Sequence, residues 1–404
     1  MKKISRRNFM FLSGMTTATM LAQTVQVEDI PLKSRKGTAS SDPWIELNLE
    51  NMSWNLSQIR KRVKVPIMAV IKANAYGHGL IEIGKHLEKV GIDTFMVGKL
   101  SEALLLREQG ISPPILNFGP FASQDAEKII KNNISQSVFN ENVSSLNQTA
   151  LKLRKKARIQ IHVDTGMGRM GISFRDALPF IEASSQLKGI FIEGISTTLT
   201  EDDEFDRKQI SRFLHICRRA KDKGISLGLK HAASSDGILN LSSSHLDMVR
   251  PGITLYGYYP SEKSQKEDTL SLRPVLQMKS RVVAVKILEP GDSISYHRKF
   301  TAQKKEKIAV IPTGYSDGFP HNVVNNACVL IKGRRYPLIA AITANHSTAL
   351  LDINSPVSPG DGVAFIGAQG KEIITADEVA RWAGLSTYKI LIGLNPLLPR
   401  RKCS

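Results

Sequence analysis

Lys72 stands at the end of an apolar run, where a buried lysine is costly unless its ammonium group has chemistry to do. Residues 66–71 (PIMAVI) are expected to form a buried strand, after which Asn74, Gly77 and Gly79 turn the chain sharply. At the C-terminal rim of a parallel barrel, a partly desolvated lysine has a lowered pKa. It can form a Schiff base with an aldehyde cofactor such as pyridoxal 5′-phosphate (PLP). A lone lysine at a strand end is usually a solvated structural residue, so other residues must support this role.

The elements that could position Lys72 follow along the chain as alternating strands and helices. After a strand at residues 44–49 and a helix at 49–63, short apolar runs alternate with polar-faced helical segments. The apolar runs are residues 67–71, 94–97, 114–118, 159–163 and 189–195, and the helical segments include 101–110 and 123–132. This alternation predicts parallel strands with covering helices in a closed α/β barrel that occupies residues 44–274.

The pattern changes after Arg273. Short strands separated by Gly, Pro and Asn turns are predicted at residues 279–288, 307–312, 327–331 and 349–353. We expect a single late helical segment, at residues 375–383. The pattern therefore favours a second, mostly-β domain over residues 275–404.

Residues 1–28 have the layout of a twin-arginine export signal. Arg6 and Arg7 precede a moderately apolar stretch, residues 9–22, which is too short and too rich in Thr and Ser to form a stable membrane anchor. We expect residues 29–43 to be a linker and the protein to be periplasmic, or cytoplasmic if the signal is not used. This export route carries folded proteins, which suits an enzyme that acquires its cofactor in the cytoplasm.

Composition indicates an ordinary soluble globular protein: of 404 residues, 42% are hydrophobic and 23% charged. The net charge of +18 alone would suggest an anionic partner, but the basic residues are spread along the chain without a nucleic-acid recognition motif. We expect a solvated basic surface that helps to draw in an anionic cofactor or substrate. Cys217, Cys328 and Cys403 are too few for a disulfide framework, and no Cys/His spacing predicts a metal site.

Five segments resemble, in order and in spacing, the motif set of alanine racemases. They are residues 69–79 (AVIKANAYGHG), 163–171 (VDTGMGRMG), 250–257 (RPGITLYG), 295–296 (SY) and 314–318 (GYSDG). The resemblance implies an eight-stranded α/β barrel, a C-terminal β domain, PLP as cofactor and free amino acids as substrates. It also implies a head-to-tail homodimer whose two active sites each draw on both chains.

The resemblance assigns two catalytic residues. Lys72 matches the Schiff-base lysine, which acts as the base on the D-isomer face, and Tyr296 matches the opposite base, contributed by the partner chain. Racemisation removes an α-proton and returns one on the other face, so two flanking groups are needed. The ordinary pKa of a tyrosine, about 10, makes it a poor base unless nearby cations lower that value.

Two arginines and a set of hydroxyls match the family's cofactor site. Arg250 matches the arginine at the PLP pyridine nitrogen, and it would keep that nitrogen unprotonated, limit carbanion charge and suppress transamination. Arg169 matches the arginine that orients the cofactor phenolate and the substrate carboxylate. The other matching cofactor residues are Tyr76, His231, Ser235, Gly252, Ile253 and Tyr388. Tyr315 matches a substrate-entry tyrosine.

Several positions depart from the family pattern. His162 stands where many members carry a carbamylated lysine that braces the arginine matched by Arg169, and Thr198 replaces a histidine next to Arg250. Ala344 and Asn345 occupy the place of a Met-Asp pair beside the substrate side chain. These smaller and uncharged residues predict a roomier, less acidic pocket and therefore a broader amino-acid range.

Three other functions remain open at this point. The first is a strict alanine racemase that supplies D-alanine for peptidoglycan. The second is a decarboxylase with the same barrel, which would use an acidic ring partner and lack Tyr296. The third is a non-catalytic PLP-binding protein, which would be expected to end after the barrel.

Overall fold

The computed structural model describes residues 42–267, 270–324 and 326–403. The predicted export signal and nearly all of the predicted linker lie outside these residues. The strands are β1 (Trp44–Asn48), β2 (Met68–Val70), β3 (Thr94–Val97), β4 (Ile115–Asn117), β5 (Ile134–Val138), β6 (Ala157–Asp164), β7 (Ile172–Ser173), β8 (Ile190–Ser196), β9 (Leu229–His231), β10 (Leu276–Arg281), β11 (Ala284–Leu288), β12 (Ser293–Ile294), β13 (Phe300–Thr301), β14 (Glu306–Ile311), β15 (Cys328–Ile331), β16 (Arg334–Ile339), β17 (Ser347–Leu351), β18 (Gly362–Gln369), β19 (Glu372–Ile374) and β20 (Arg400–Cys403).

The helices cover most of the segments between the barrel strands. They are α1 (Leu49–Arg62), α2 (Lys72–Tyr76), α3 (Leu80–Lys89), α4 (Leu100–Glu108), α5 (Ala126–Lys131), α6 (Val143–Lys152), α7 (Ala177–Ser185), α8 (Asp203–Asp222), α9 (Ser235–Asn240), α10 (Glu262–Glu267), α11 (Ala376–Ala383) and α12 (Thr387–Gly393). Among the described residues no helix is long and apolar enough to cross a membrane.

Seven parallel strands form the wall of the barrel in the order β2-β3-β4-β5-β6-β8-β9. Residues 247–251 close the ring as the eighth segment, through parallel bridges from Met248 to His231 and from Val249 to Ile67. Residues of β2, β3, β4 and β5 are buried throughout, as expected for parallel strands covered on both faces. The predicted eight-stranded barrel is confirmed.

The C-terminal rim of the barrel brings together residues that are distant in sequence. Lys72 follows β2, Arg169 follows β6, Ser235 follows β9, and Arg250 lies in the closing segment. Side chains at this rim converge because all eight segments run in the same direction.

The second domain is built on a sheet with the order β11-β14-β17-β16-β15-β18-β10-β1-β20, to which β19 adds through β18. Most neighbouring pairs are antiparallel, and the predicted mostly-β domain is confirmed. The strand β1 belongs to this sheet, where it pairs with β10 and β20, although the sequence analysis assigns residues 44–274 to the barrel. The alternating burial of β1 suits a sheet with one covered face better than a barrel wall.

The prediction of a single late helix is wrong, because α12 follows α11. The helix α12 has only seven residues and an apolar, β-branched sequence, so no helical period is visible in it. Its start is stabilised by Ser386, whose hydroxyl accepts a hydrogen bond from the Lys389 backbone N–H. The helix matters for the site because it carries Tyr388.

Candidate active site

A cavity of about 110 Å³ opens at the C-terminal rim of the barrel. Every predicted cofactor-binding residue lines it except His231, which lies buried directly behind Arg250. The structure therefore assembles the barrel half of the predicted site within one chain.

Lys72 enters the cavity from a left-handed turn. The four residues that follow it, Ala73, Asn74, Ala75 and Tyr76, all have φ between +51° and +55°. This conformation costs about 1–2 kcal/mol for each L-residue other than glycine. A run of four strained residues at a candidate catalytic site therefore requires strong support from its surroundings.

Contacts to four other parts of the chain hold the turn. The Asn74 side chain accepts a hydrogen bond from the Leu80 N–H (2.8 Å), and the Asn74 N–H donates to Glu102 (3.0 Å). The Tyr76 ring packs against Tyr256 and Tyr388, with centroid distances of 4.9 and 5.8 Å. These contacts fix the direction in which Lys72 leaves β2.

The Lys72 amine has a lowered pKa. Protein surrounds most of the side chain even though solvent reaches it through the open cavity, and this desolvation is the largest cause. The charges of Arg169 and Arg250 lower the pKa further, whereas Glu102 opposes them. A lysine in this setting is a better nucleophile and proton acceptor near neutral pH than an exposed one.

Arg250 is a buried cation held by neutral groups. Its Nη2 donates to the carbonyls of Thr197 and Ala232, each at 2.8 Å, and its Nη1 donates to the His231 carbonyl at 3.1 Å and to His231 Nδ1 at 2.7 Å. Burial lowers the pKa of Arg250 to about 10, so the guanidinium stays charged at neutral pH. These bonds use both terminal nitrogens of Arg250, which lines the cavity, and leave its Nε–H without a hydrogen-bond partner among the described residues.

His231 is neutral, with one tautomer selected by its partners. Its Nδ1 faces the Arg250 donor, so Nε2 carries the proton and donates to Gln160 Oε1 at 2.7 Å. Burial and the Arg250 charge hold the pKa of His231 well below its usual value. His231 therefore orients Arg250 and has no direct contact with the cavity.

The Tyr76, Ser235 and Tyr388 hydroxyls and the Gly252 backbone line the same cavity and form a cradle suited to an anion. Ser235 Oγ accepts from the Gly252 N–H at 3.0 Å and lies 3.1 Å from the Thr254 hydroxyl. A Cβ at Gly252 would lie 2.7 Å from the Tyr76 hydroxyl, so only glycine lets that hydroxyl approach the backbone here. Burial raises the pKa of Tyr76 and of Tyr388, so both keep the proton that they could donate.

Arg169 lines the cavity but makes no hydrogen bond or ion pair with any residue that the structure describes. His162, at the position of the family's bracing lysine, is buried instead against Phe118 and bonded to the Ser196 hydroxyl at 3.0 Å. Burial, followed by the Arg250 charge, lowers the pKa of His162 to about 3, so this imidazole supplies no charge to Arg169. Thr198, at the position of the family's histidine, forms no side-chain hydrogen bond with Arg250 in the described part of the chain. Arg250 donates instead to the carbonyl of the neighbouring Thr197.

The remaining predicted residues form a second cluster. Tyr296, Tyr315, Ala344 and Asn345 line one open groove on the C-terminal domain, which shares no residue with the Lys72 cavity. Tyr296 is 79% exposed and Tyr315 is 54% exposed, unusually high values for tyrosines with a proposed role in chemistry. Each chain thus presents the predicted site as two separate halves.

Hydrogen bonds join two of the segments that line the groove, residues 315–316 and 343–345. The Ser316 hydroxyl donates to the Ala344 carbonyl at 2.7 Å, and the Asn345 amide donates to the Ser316 hydroxyl at 2.9 Å. The Tyr315 N–H donates to the Thr343 carbonyl at 3.0 Å. These bonds hold Tyr315 and the Ala344-Asn345 pair in a fixed position relative to each other.

Sequence reasoning missed two carboxylates at the cavity. Glu201 lines it, and Glu102 bonds the turn behind Lys72. Glu102 could have been noticed because it occupies the third position of the helix that follows a predicted strand, where a glutamate often caps the helix start. Glu201 follows no recognisable motif.

Comparisons with known proteins agree with this geometry. Residues 47–260 match the family described as "Alanine racemase, N-terminal domain", and residues 275–402 match "Alanine racemase, C-terminal domain". "Alanine racemase 2" of Caldanaerobacter subterraneus subsp. tengcongensis is 36% identical over 364 residues, which covers 88% of this chain and 93% of the relative. The alanine racemase of Methanococcus maripaludis is 36% identical over 367 residues, or 88% of this chain and 97% of the relative.

Solved structures show the same fold. An alanine racemase from Clostridium difficile 630 superposes with a TM-score of 0.86 at 34% identity, covering 91% of this chain and 97% of that chain. A histidine racemase from Leuconostoc mesenteroides subsp. sake superposes with a TM-score of 0.83 at 26% identity, covering 91% of this chain and 100% of that chain. The likeness therefore extends over both domains.

Substitution of Gly77 by alanine tests the support of the left-handed turn. Gly77 has φ +80°, and an added Cβ would lie 2.0 Å from the Leu391 carbonyl oxygen in α12. We expect a loss of about 3 kcal/mol in the free energy of unfolding, measured by urea denaturation of the apoprotein. Gly91→Ala is the control, because Gly91 has φ +73° but nothing within 4 Å, and it should cost only about 1 kcal/mol. Equal losses in the two variants would contradict the role of the α12 contact.

Proposed function

This chain belongs to the alanine racemase family and is an amino-acid racemase, and we propose that it interconverts the L- and D-isomers of alanine and of larger amino acids. The proposed mechanism uses two bases, Lys72 and Tyr296, in sites shared by the two chains of a homodimer. One observation carries this proposal. Lys72 and Tyr296 line two cavities of the same chain that have no residue in common.

The family is PLP-dependent, and the residues of the barrel cavity fit this cofactor. The Ser235–Gly252 cradle and the Tyr76 and Tyr388 hydroxyls suit the phosphate, and the free Nε–H of Arg250 suits an acceptor nitrogen of the ring. Lys72 would hold the cofactor's aldehyde carbon. When bound, the cofactor makes the substrate Cα–H acidic by delocalising the negative charge that forms at that carbon.

Arg250 would limit this delocalisation. A guanidinium with a pKa of about 10 donates a hydrogen bond but gives up no proton at neutral pH, so a ring nitrogen facing it stays unprotonated. Rapid return of a proton to Cα is then favoured over side reactions. A decarboxylase, one of the alternatives, would be expected to have an acidic residue facing the cofactor ring at this position, but this chain has Arg250.

Lys72 and Tyr296 would exchange the proton at Cα. Two-base racemisation places one group on each face of the same carbon, within hydrogen-bond reach of its proton. Lys72 would take the proton of the D-isomer and Tyr296 that of the L-isomer, and the opposite group would return a proton. The exposure of Tyr296 supports its insertion into the barrel cavity of a partner chain, because a second copy could supply the missing half at each site.

The substrate range would be set by Ala344 and Asn345. These residues line the same groove as Tyr296 and are hydrogen-bonded to Ser316. A small and an uncharged side chain leave room beside the substrate for more than a methyl group. The histidine racemase with the same fold supports this proposal, whereas the curated relatives named alanine racemases favour the alternative, a strict supplier of D-alanine for peptidoglycan.

We also propose that the enzyme is exported to the periplasm. The support is the twin-arginine layout of residues 1–28, which lie outside the described part of the structure. Broad-range racemisation outside the cytoplasm would act on free amino acids in the cell envelope.

Co-expression of Lys72→Ala and Tyr296→Phe chains tests the shared site. Each variant alone should be inactive. In the mixed dimer one site lacks both bases and the other keeps both, so random pairing should restore about a quarter of wild-type alanine racemisation. The measurement is the initial rate of racemisation per mole of protein chain. If both bases came from one chain, mixing would restore nothing, and the proposal would be wrong.

The double substitution Ala344→Met with Asn345→Asp tests the substrate range. We expect the wild-type enzyme to racemise amino acids larger than alanine. The variant should lose that activity at least about tenfold while its alanine rate changes little, because the methionine side chain fills the added space. Chiral chromatography after incubation with each L-amino acid separately gives both values. Racemisation of alanine alone by the wild-type enzyme would support the strict alternative.

Export can be tested by changing Arg6 and Arg7 to lysine together. The wild-type enzyme should fractionate with periplasmic markers, and the variant should remain with cytoplasmic markers at equal total activity. An identical distribution of the two proteins would contradict export through this signal.

A further inference from the structure

Glu102 connects Lys72 to the neighbouring unit of the barrel. It lies in the first turn of α4, directly after β3. One carboxylate oxygen accepts a hydrogen bond from the Asn74 N–H at 3.0 Å, and the other accepts from the Gly98 N–H at 3.1 Å. A single side chain therefore joins the left-handed turn behind Lys72 to the end of the next strand.

This arrangement requires a carboxylate. Both backbone groups are donors, and only a carboxylate offers an acceptor on each side, whereas an amide would present one of its own N–H groups to one of them. Glu102 forms no ion pair within 4.0 Å in the described part of the chain. Its charge is thus held by two N–H dipoles and remains available to act on its surroundings.

Lys72 packs directly on the segment that Glu102 holds. A Cβ placed on Gly98 would lie 3.3 Å from Lys72 Cβ, 3.8 Å from Lys72 Cδ and 3.9 Å from Glu102 Oε2. The Lys72 stem therefore lies against Gly98, and Glu102 Oε2 lies near the same glycine. A shift of Gly98 or of Asn74 would move the lysine.

Three charged side chains act on the Lys72 amine. Arg169 after β6 and Arg250 in the closing segment favour the neutral amine, as does desolvation, and Glu102 in α4 favours the ammonium ion. A base that takes a proton from one isomer and returns it to the other must populate both forms. Glu102 is the group in this set that supports the protonated form.

We propose that Glu102 is a positioning residue of the racemase, which aims Lys72 by fixing the turn behind it and stabilises the ammonium form that returns the proton. This inference rests on the proposed function in giving Lys72 the role of a base. The placement of the charge beside Lys72 can be tested without it.

The first test measures Lys72 in the apoenzyme. The rate at which acetic anhydride acetylates Lys72 is followed against pH by mass spectrometry in wild type, Glu102→Gln and Glu108→Gln. Glu108 is an exposed residue of the same helix and serves as the matched control. We expect the Lys72 pKa to fall in Glu102→Gln, because the ammonium ion loses its neighbouring negative charge, and to be unchanged in Glu108→Gln. An unchanged Lys72 pKa in Glu102→Gln would overturn the electrostatic part of the proposal.

The second test uses racemisation from the D-isomer by the PLP-loaded enzyme. In Glu102→Gln, kcat should fall about tenfold or more, since one of the two hydrogen bonds that link the turn to Gly98 through this side chain is lost. The ascending limb of the kcat pH profile, which reports ionisations in the enzyme–substrate complex, should move to lower pH, because Lys72 then becomes a free base at lower pH. A purely structural role would lower kcat without moving this limb.

Glu102→Asp separates the positioning role of Glu102 from its electrostatic role. It also provides the test if Glu102→Gln does not fold. Aspartate keeps the charge but is one methylene shorter, so it cannot reach both N–H groups. We expect a similar loss of kcat with the pH limb near its wild-type position. A wild-type kcat in Glu102→Asp would overturn the positioning role. An inactive wild-type enzyme would instead contradict the proposed function and leave the acetylation result standing.

Discussion

The Arg250 guanidinium is buried in the barrel, and its charge is held by carbonyl dipoles and by one imidazole nitrogen. The contacts with Thr197, Ala232 and His231 leave no carboxylate bonded to it among the described residues. An uncompensated buried cation repels further positive charge over several ångströms. Burial is the main reason that His231 and His162 are neutral, and the Arg250 charge adds to it. At Lys72, desolvation and the Arg169 charge act together with Arg250 to favour the neutral amine. Arg250 therefore contributes to the electrostatics of all three groups.

Positive potential at the rim is useful to an enzyme that binds an anionic cofactor and an amino-acid carboxylate. It also creates a difficulty, because a lysine that only loses protons cannot return one. Glu102 lies behind Lys72 rather than beside the substrate. The rim can therefore stay positive while Lys72 is still able to hold a proton. The strained turn after Lys72 belongs to the same arrangement, since it exposes the Asn74 N–H to that carboxylate and packs Tyr76 over Gly252. The ring contacts of Tyr76 with Tyr256 and Tyr388 help to offset the backbone strain of the four left-handed residues.

Sequence patterns predicted those secondary-structure elements whose type is determined by burial alone. β3 coincides with the predicted residues 94–97, and the resemblance of five motifs indicated the barrel, the β domain and the site residues. Other features have no local signal. Of residues 73–76, Asn74 alone is of a type that readily adopts left-handed backbone, so the run of four has no signal in the sequence. The helix α12 is too short to show a helical period. The pairing of β1 with the C-terminal sheet depends on contacts more than 200 residues away along the chain. His162 shows the limit of a motif comparison, because its burial against Phe118 could be seen only in three dimensions.

We propose that Lys72, among all the lysines of this basic chain, holds the cofactor. Reduction of the PLP-loaded enzyme with borohydride, followed by proteolysis and mass spectrometry, locates that bond directly. We expect one modified site per chain, at Lys72, with the mass of a reduced pyridoxyl phosphate group. Modification of a different lysine, or labelling spread over several surface lysines with Lys72 unmodified, would contradict it.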